Sequence, residues 1–238
     1  MGLNHGTNIV KDGLVFLMDA ANPRSYPRTG ATVTDIVGNT TGTLSGGAGG
    51  NNTPQWENTN GGIFDFDGVD DNIGVTTTNL SDTTELTCNC WIKTSDITAD
   101  GGSYRAFFTT GPWQSGVTNA WKLAVNSNNG KLDVWANNAS KLLSGTTLPT
   151  GEFVNVTYTY SSNTGKIYFN GSLSNSGTYT LTHYMGKIYL GAGGSTLGNL
   201  TTAGMWNGSI SLVHFYNRAL PAQEVKQNYN ALKSRFGL

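Results

Sequence analysis

Four carboxylates that lie close together in the chain are the first candidates for a functional site. Asp65, Asp67, Asp70 and Asp71 occupy four of seven consecutive positions and flank a glycine. Carboxylate oxygens near a turn are the ligands that Ca²⁺ takes in proteins. The order is not an EF-hand loop, because Thr76 stands where the twelfth-position glutamate would be. We expect either a calcium site at Asp70 and Asp71 or a solvated turn whose carboxylates accept from backbone N–H groups. No cofactor is required.

Aromatic and amide side chains in the glycine-rich segment 100–121 are the second set of candidates. An aromatic ring can stack on the apolar face of a sugar, and neighbouring amides can fix its hydroxyl groups. The composition predicts exposed loops, which often carry ligand contacts. The residues expected to contact a ligand are Tyr104, Trp113, Gln114 and Asn119.

Composition excludes two classes of partner. The chain has 238 residues, 14 Lys and Arg against 15 Asp and Glu, and no basic run. Nucleic acid binding needs clustered positive charge, so no nucleic acid partner is expected. The longest apolar run, Leu14–Met18, is far shorter than the ~20 residues that span a bilayer, so no membrane partner is expected. The N-terminal residues also lack the pattern of a secretory signal.

The secondary structure predicted around these residues is all-β. Short apolar stretches alternate with clusters of Gly, Asn, Thr and Ser, and Val154, Val156, Tyr158 and Tyr160 alternate with polar residues. One buried and one wet face per sheet indicates two packed antiparallel sheets. The predicted strands are 13–20, 63–66, 72–76, 85–94, 105–109, 121–125, 131–135, 153–160, 166–169, 187–190 and 208–216.

Other segments complete a single domain over 1–238. Residues 42–61 are predicted to form a long surface loop that Trp56 holds in place, and residues 1–12 form an N-terminal arm. A helix is predicted over 221–236, because four apolar residues share one of its faces and Gly237 can end it. The core is expected to include Cys88, Cys90, Trp91, Trp121 and Trp135. His214 alternates with Val213 and Phe215, so we expect it on the wet face or hydrogen-bonded.

Several motifs in chain order resemble laminin-G-like, concanavalin A-like domains. They are Asp65–Ile73 (DFDGVDDNI), Glu85–Lys93 (ELTCNCWIK), Val154–Tyr158 with Gly165–Gly171, and Trp206–Leu220. The resemblance implies a jelly-roll sandwich of two antiparallel sheets with a short C-terminal helix. In related folds a calcium ion at the rim helps to hold the ligand. This chain departs from the family pattern at Asn72, which replaces a Tyr, and at Ser211-Leu212, where a carboxylate pair is usual.

The flanks resemble a narrower group found in tailed bacteriophages. Gly13–Pro27 is similar to the opening of those proteins, and Gln227–Gly237 is similar to their ending. The resemblance implies a virion structural protein, exposed as a head decoration or as part of the tail or its fibres. Its partners would be other virion proteins in multiple copies, together with host-surface glycans. It would be assembled in the host cytoplasm without a signal peptide.

The concanavalin A-like fold also occurs in glycoside hydrolases, so the enzyme hypothesis has to be tested on residues. The family's hydrolases carry their two carboxylates on one strand, in the order Glu-x-Asp-x-x-Glu. None of the glutamates, Glu57, Glu85, Glu152 and Glu224, has that spacing. We therefore expect no enzymatic activity and no catalytic residues. Two alternatives to the virion protein stay open, a free calcium-dependent lectin and, less favoured, a glycoside hydrolase.

Overall fold

The computed structural model describes residues 8–38, 40–46, 53–77, 80–94, 96–97, 104–111, 119–193 and 204–238. These residues form two eight-stranded antiparallel sheets and one short α-helix near the C-terminus. The predicted all-β class and the two-sheet architecture are therefore confirmed. No helix in the described ranges is long and apolar enough to cross a membrane.

The described strands number sixteen and follow one another along the whole chain. In chain order they are β1 (Leu14–Asp19), β2 (Thr32–Thr34), β3 (Thr41–Ser45), β4 (Gln55–Glu57), β5 (Ile63–Asp67), β6 (Asn72–Thr76), β7 (Leu86–Lys93), β8 (Tyr104–Thr110), β9 (Trp121–Asn126), β10 (Lys131–Ala136), β11 (Ala139–Thr147), β12 (Val154–Ser161), β13 (Thr164–Phe169), β14 (Ser172–Thr178), β15 (Lys187–Leu190) and β16 (Asn207–Tyr216).

Within each sheet, some neighbouring strands come from distant parts of the chain, as in a jelly roll. The first sheet runs β14-β13-β12-β7-β16-β5-β4, and β1 also pairs with β16. The second runs β11-β10-β9-β8-β15-β6-β3-β2. The long β16 joins two parts of the first sheet, because its first half pairs with β5 and its second half with β1.

Two tight turns fix the register of three neighbouring strands in the first sheet. Ser162 and Asn163 have φ of 48° and 58° between β12 and β13, and Asn170 and Gly171 have φ of 50° and 73° before β14. Two consecutive positive φ angles are typical of the two-residue hairpin turn that matches strand twist.

Five short or polar strands were not predicted: β2, β3, β4, β11 and β14. The predicted surface loop over 42–61 is wrong at both ends, because Gly42–Ser45 pairs with β6 and Gln55–Glu57 pairs with β5. These strands lie at or next to sheet edges, where few side chains need to be apolar. Trp56 does hold its segment in place, since its Nε1 donates to the Ala20 carbonyl at 2.9 Å.

The main core lies between the sheets and contains most of the residues predicted for it. Trp121 is fully buried there, and so are Cys88 and Cys90, whose sulfur atoms lie 3.8 Å apart. Trp91 is buried too, but on the opposite face of the first sheet. Trp135 is only half-buried, so its assignment to the core was wrong.

The C-terminus covers the outer face of the first sheet. The helix α1 (Ala222–Leu232) continues as a 3-10 turn over Lys233–Phe236 and ends at Gly237, whose φ is 75°. Phe236 stacks on Trp91 with ring centroids 4.1 Å apart, and Tyr229 stacks on it at 5.9 Å. The predicted helix is confirmed, and its apolar side packs on the sandwich.

This cover overturns the expectation of a wet outer face on the first sheet. Asn155, Thr157 and Thr159 were predicted to be solvated, but all three are buried. Asn89 and Asn155 exchange amide hydrogen bonds of 3.2 and 3.1 Å, and Asn89 also donates to Thr157 at 2.6 Å. Asn89, Asn155 and Thr157 can be buried between helix and sheet because their polar groups satisfy one another.

His214 lies in the same layer and is neither wet nor hydrogen-bonded. It is fully buried, and neither ring nitrogen has a hydrogen-bond partner among the described residues. Burial, together with the nearby positive charge of Arg235, lowers the pKa of His214 to about 3. Burial likewise lowers the pKa of His183 to about 3. Both imidazoles are therefore neutral in the folded protein near pH 7.

We predict that acid weakens the fold through these histidines. The unfolded chain takes up the two protons near pH 6.5, while the folded chain takes them up near pH 3, so the free energy of unfolding falls as the pH is lowered between those values. His214→Phe should reduce this dependence. Urea unfolding of both proteins from pH 7 to pH 4 measures it, and equal slopes would contradict the prediction.

Candidate functional site

Four side chains meet on the outer face of the second sheet, and we call them the sheet platform: Tyr104, Lys122, Asp133 and Trp135. Strand register brings them together, because Trp135 lies opposite Lys122 across the β9–β10 pair. Tyr104 begins the next strand, β8, and its ring centroid lies 4.8 Å from that of Trp135. Three adjacent strands therefore place two aromatic rings and two charges on one surface.

Small residues form the floor between these side chains. Ala124 is paired with Ala106 on one side and with Asp133 on the other. Both alanines are fully buried, whereas Tyr104, Lys122 and Trp135 are partly exposed. The larger, partly exposed side chains therefore surround and cover the two alanines.

A cation lies against the aromatic pair. The Lys122 ammonium is 4.9 Å from the centroid of the Tyr104 ring and 5.6 Å from that of Trp135. Both distances are within the range of cation–π attraction. Burial lowers the pKa of Lys122 to about 8, although the negative charge of Asp133 opposes that shift.

The carboxylate of Asp133 is buried beside Ser140, Tyr104 and Lys122. Its Oδ1 accepts from the Ser140 hydroxyl at 2.7 Å, and the side chain is fully buried. Burial raises the pKa of Asp133, against the opposing influence of Ser140, Tyr104 and Lys122. A buried acceptor is costly unless donors lie near it, and the Ser140 and Tyr104 hydroxyl groups and the Lys122 ammonium offset that cost.

The structure places only one of the predicted ligand residues on the sheet platform. Tyr104 is part of the sheet platform, although it begins a strand and does not lie in an exposed loop. Asn119 lies in the turn before β9 with φ 72°, where its backbone N–H donates to the Asn137 side chain at 3.2 Å. Trp113 and Gln114 lie outside the described residues.

Trp135, Lys122 and Asp133 were missed as site residues. Alternation along β10 carried the necessary signal, because Leu132 and Val134 face the core while Lys131, Asp133 and Trp135 occupy the other positions. A tryptophan in phase with two charged residues points away from the core.

The acidic turn between β5 and β6 is a second site. One carboxylate oxygen from each of Asp67, Asp70 and Asp71 lies within 4.8 Å of the other two. Asp65 does not join this group, since it accepts from the Ser209 hydroxyl at 3.1 Å. The turn also uses its carboxylates internally, because Asp67 accepts from the backbone N–H of Val69 at 2.8 Å. Both alternatives for this turn thus have a structural basis.

Asp71 is the most perturbed of these carboxylates. It is 2% exposed, its Oδ2 accepts from the Asp67 backbone at 3.0 Å, and its Oδ1 has no partner in the described ranges. Burial, with smaller effects from the neighbouring aspartates, raises its pKa to about 6. A divalent cation would neutralise this repulsion and could be held by Asp67, Asp70 and Asp71.

The two departures from the family pattern have structural uses. Ser211 donates to the Gly62 carbonyl at 2.7 Å and accepts from Arg235 at 2.6 Å, so it helps to anchor the C-terminus. Asn72 donates to the carbonyls of Ser45 and Asp70 at 3.3 and 3.2 Å, so it braces the acidic turn. Neither residue lies on the sheet platform.

Comparison with known proteins agrees with this architecture. Residues 67–226 match the family model of the concanavalin A-like lectin/glucanases superfamily. No curated protein sequence matches the chain significantly.

Solved structures from three sources share the fold. Domain 4 of the GH43 extracellular arabinanase AbnA from Geobacillus stearothermophilus, in complex with arabinotriose, has a TM-score of 0.67 at 18% identity; the match covers 91% of this chain and 98% of that domain. The Trypanosoma rangeli sialidase in complex with sialic acid has a TM-score of 0.65 at 14% identity, with 98% and 36% covered. The receptor binding domain of botulinum neurotoxin type G has a TM-score of 0.59 at 15% identity, with 92% and 51% covered.

These likenesses show the fold alone, because the identities are low. The chain spans nearly all of the arabinanase domain but about a third of the sialidase and half of the neurotoxin domain.

Proposed function

The chain belongs to the concanavalin A-like lectin/glucanase superfamily, and we propose that it is a non-enzymatic glycan-binding protein whose ligand lies on the sheet platform. One observation carries the proposal: a partly exposed Tyr104–Trp135 pair stands beside the Lys122 ammonium and the buried Asp133 carboxylate. Aromatic faces and a few fixed polar groups are what a sugar ring needs.

The fold neighbours support this class of ligand. The arabinanase domain was solved with arabinotriose and the sialidase with sialic acid. Their low identity transfers no residue and no specificity, so the choice of the sheet platform rests on this chain's own geometry.

The absence of activity is part of the proposal. Hydrolysis by the usual two-carboxylate routes needs an acid and a second carboxylate on opposite sides of the scissile bond. Asp133 is the one carboxylate of the sheet platform, and its charged neighbour is Lys122. The Glu-x-Asp-x-x-Glu order is also missing from the sequence. Binding without turnover is what this arrangement supports.

We predict that Trp135→Ala lowers the affinity for a glycan selected on an array by about tenfold or more, because the lost stacking area is worth at least ~1.4 kcal/mol. The melting temperature should change little, since the side chain is half-buried. Titration calorimetry measures the affinity. Trp56→Ala, at a half-buried tryptophan of the first sheet, is the matched control and should bind normally. Full binding by Trp135→Ala with loss in Trp113→Ala would move the site to the segment predicted from the sequence.

We further propose that the acidic turn binds Ca²⁺, which is the property that a calcium-dependent lectin would need. Its support is the group of three carboxylates and the unpartnered, buried oxygen of Asp71. The ion would require Asp71 to be ionised, so its affinity should fall as the pH drops through about 6.

We expect Ca²⁺ at about 1 mM, a concentration typical of weak extracellular sites, to raise the melting temperature at pH 7. Asp71→Asn should abolish the rise, while Asp65→Asn, next to the group but outside it, should keep it. An equal response in all three proteins would leave the solvated turn as the correct alternative. Loss of glycan binding in chelator would favour the free lectin over the virion protein.

The virion placement is proposed from the two flanks, Gly13–Pro27 and Gln227–Gly237. Both are integral to the fold: Arg235 donates to Asp19 at 2.8 Å, and Asn228 accepts from the backbone of Val10 at 2.8 Å. The protein would be exposed on the head or tail in multiple copies and would contact host glycans there.

Immunogold electron microscopy of virus particles from the source tests this placement. We expect gold on the heads if the protein decorates the capsid, or at the tail if it serves adhesion. Unlabelled particles, with an antibody that recognises the purified protein, would contradict the virion role and leave the free lectin.

A further inference from the structure

A cavity at one end of the sandwich lies apart from both sites described above. It has a volume of about 270 Å³ and lies between β1, β16 and the segment that precedes β7. We call it the end cavity. Leu86, Met185 and Phe215 form its base. Val15 and Leu80 are half-buried at its walls, and Asp82 is exposed at its edge.

The end cavity is open to solvent at its mouth, and its volume is large enough to admit a small molecule. A neighbouring void under β1 and β16 measures about 10 Å³, which is less than one water molecule needs. An apolar cavity of about 150 Å³ is enough to take up benzene. The end cavity can therefore hold one ring and a short substituent.

The edge of the cavity is held in place by hydrogen bonds. Thr83 and His183 exchange backbone hydrogen bonds of 3.1 and 2.8 Å, and the His183 ring is 2.9 Å from the Tyr158 hydroxyl in the core. The backbone N–H of Met185 donates to Asp82 Oδ1 at 3.1 Å. The cavity is thus preformed, which reduces the entropy lost on binding.

The charge of the lining residues indicates which kind of molecule the end cavity could bind. Asp82 is the one carboxylate among the described lining residues, and no Lys, Arg or His side chain is among them. A negative group at the mouth and an apolar interior favour a molecule with the opposite arrangement. An anionic ligand would be repelled, and a large glycan has no apolar portion that fills such a space.

We propose that the end cavity binds a small amphipathic cation, with an aromatic or branched alkyl body among Val15, Leu80 and Phe215 and an ammonium group beside Asp82. This site is independent of the sheet platform, so either proposal can fail alone. The ligand would lie at the end of the first sheet, in contact with β1, β7 and β16 but not with the strands of the platform.

Benzylamine and benzoate, which share a shape and differ in charge, test the proposal by NMR titration of the Met185 methyl group. We expect benzylamine to bind about tenfold more tightly than benzoate, because an exposed carboxylate attracts one and repels the other. Asp82→Asn should remove that difference. An unchanged ratio in this variant, or no saturable binding of benzylamine, would overturn the assignment.

Variants that fill the end cavity with a large side chain provide a second test of the proposal. Val15→Trp should abolish benzylamine binding, and Leu80→Trp serves the same purpose if the first variant does not fold. Val37→Trp, at an exposed valine outside the cavity, is the matched control and should bind as the parent does. Binding that survives in a folded Val15→Trp or Leu80→Trp protein would place the ligand elsewhere and contradict the proposal.

Discussion

The stacking of Phe236 on Trp91 decides which face of the sandwich is free to bind a ligand. Ring centroids 4.1 Å apart hold the C-terminal turn against the first sheet, and Arg235 fastens the same turn to Asp19, Asn60 and Gly62. Helix and turn thereby bury a face that alternation alone would leave wet. The proposed glycan site therefore lies on the second sheet, where the Tyr104–Trp135 pair is partly exposed.

The proposed functions use two buried carboxylates whose neighbours differ. Asp133 lies beside Lys122 and the hydroxyl groups of Ser140 and Tyr104, which suits a site for a neutral ligand such as a sugar. Asp71 lies among Asp67 and Asp70, so its free oxygen is stabilised best by a cation. Both pKa values are raised by burial, yet the surrounding charge separates the two kinds of chemistry.

The sequence predicted those features of the fold that local residue patterns control. Apolar alternation located β12 and β16, and apolar spacing located the C-terminal helix. It failed where long-range packing takes over. The polar residues of β12 are buried because a helix 60 residues later covers them, and β14 forms from a serine-rich segment because β13 offers it a partner. Of the proposed binding site, Tyr104 was predicted as a ligand residue but Trp135 was not, since Trp135 was assigned to the core.

Two-dimensional NMR of the six tryptophan indole N–H groups tests whether the ligand lies on the sheet platform. During titration with a glycan selected on an array, the account predicts that the Trp135 signal shifts in proportion to saturation. The signals of the fully buried Trp91, Trp121 and Trp206 should stay in place. Saturable binding that leaves Trp135 unmoved and shifts Trp56 or another indole would contradict it.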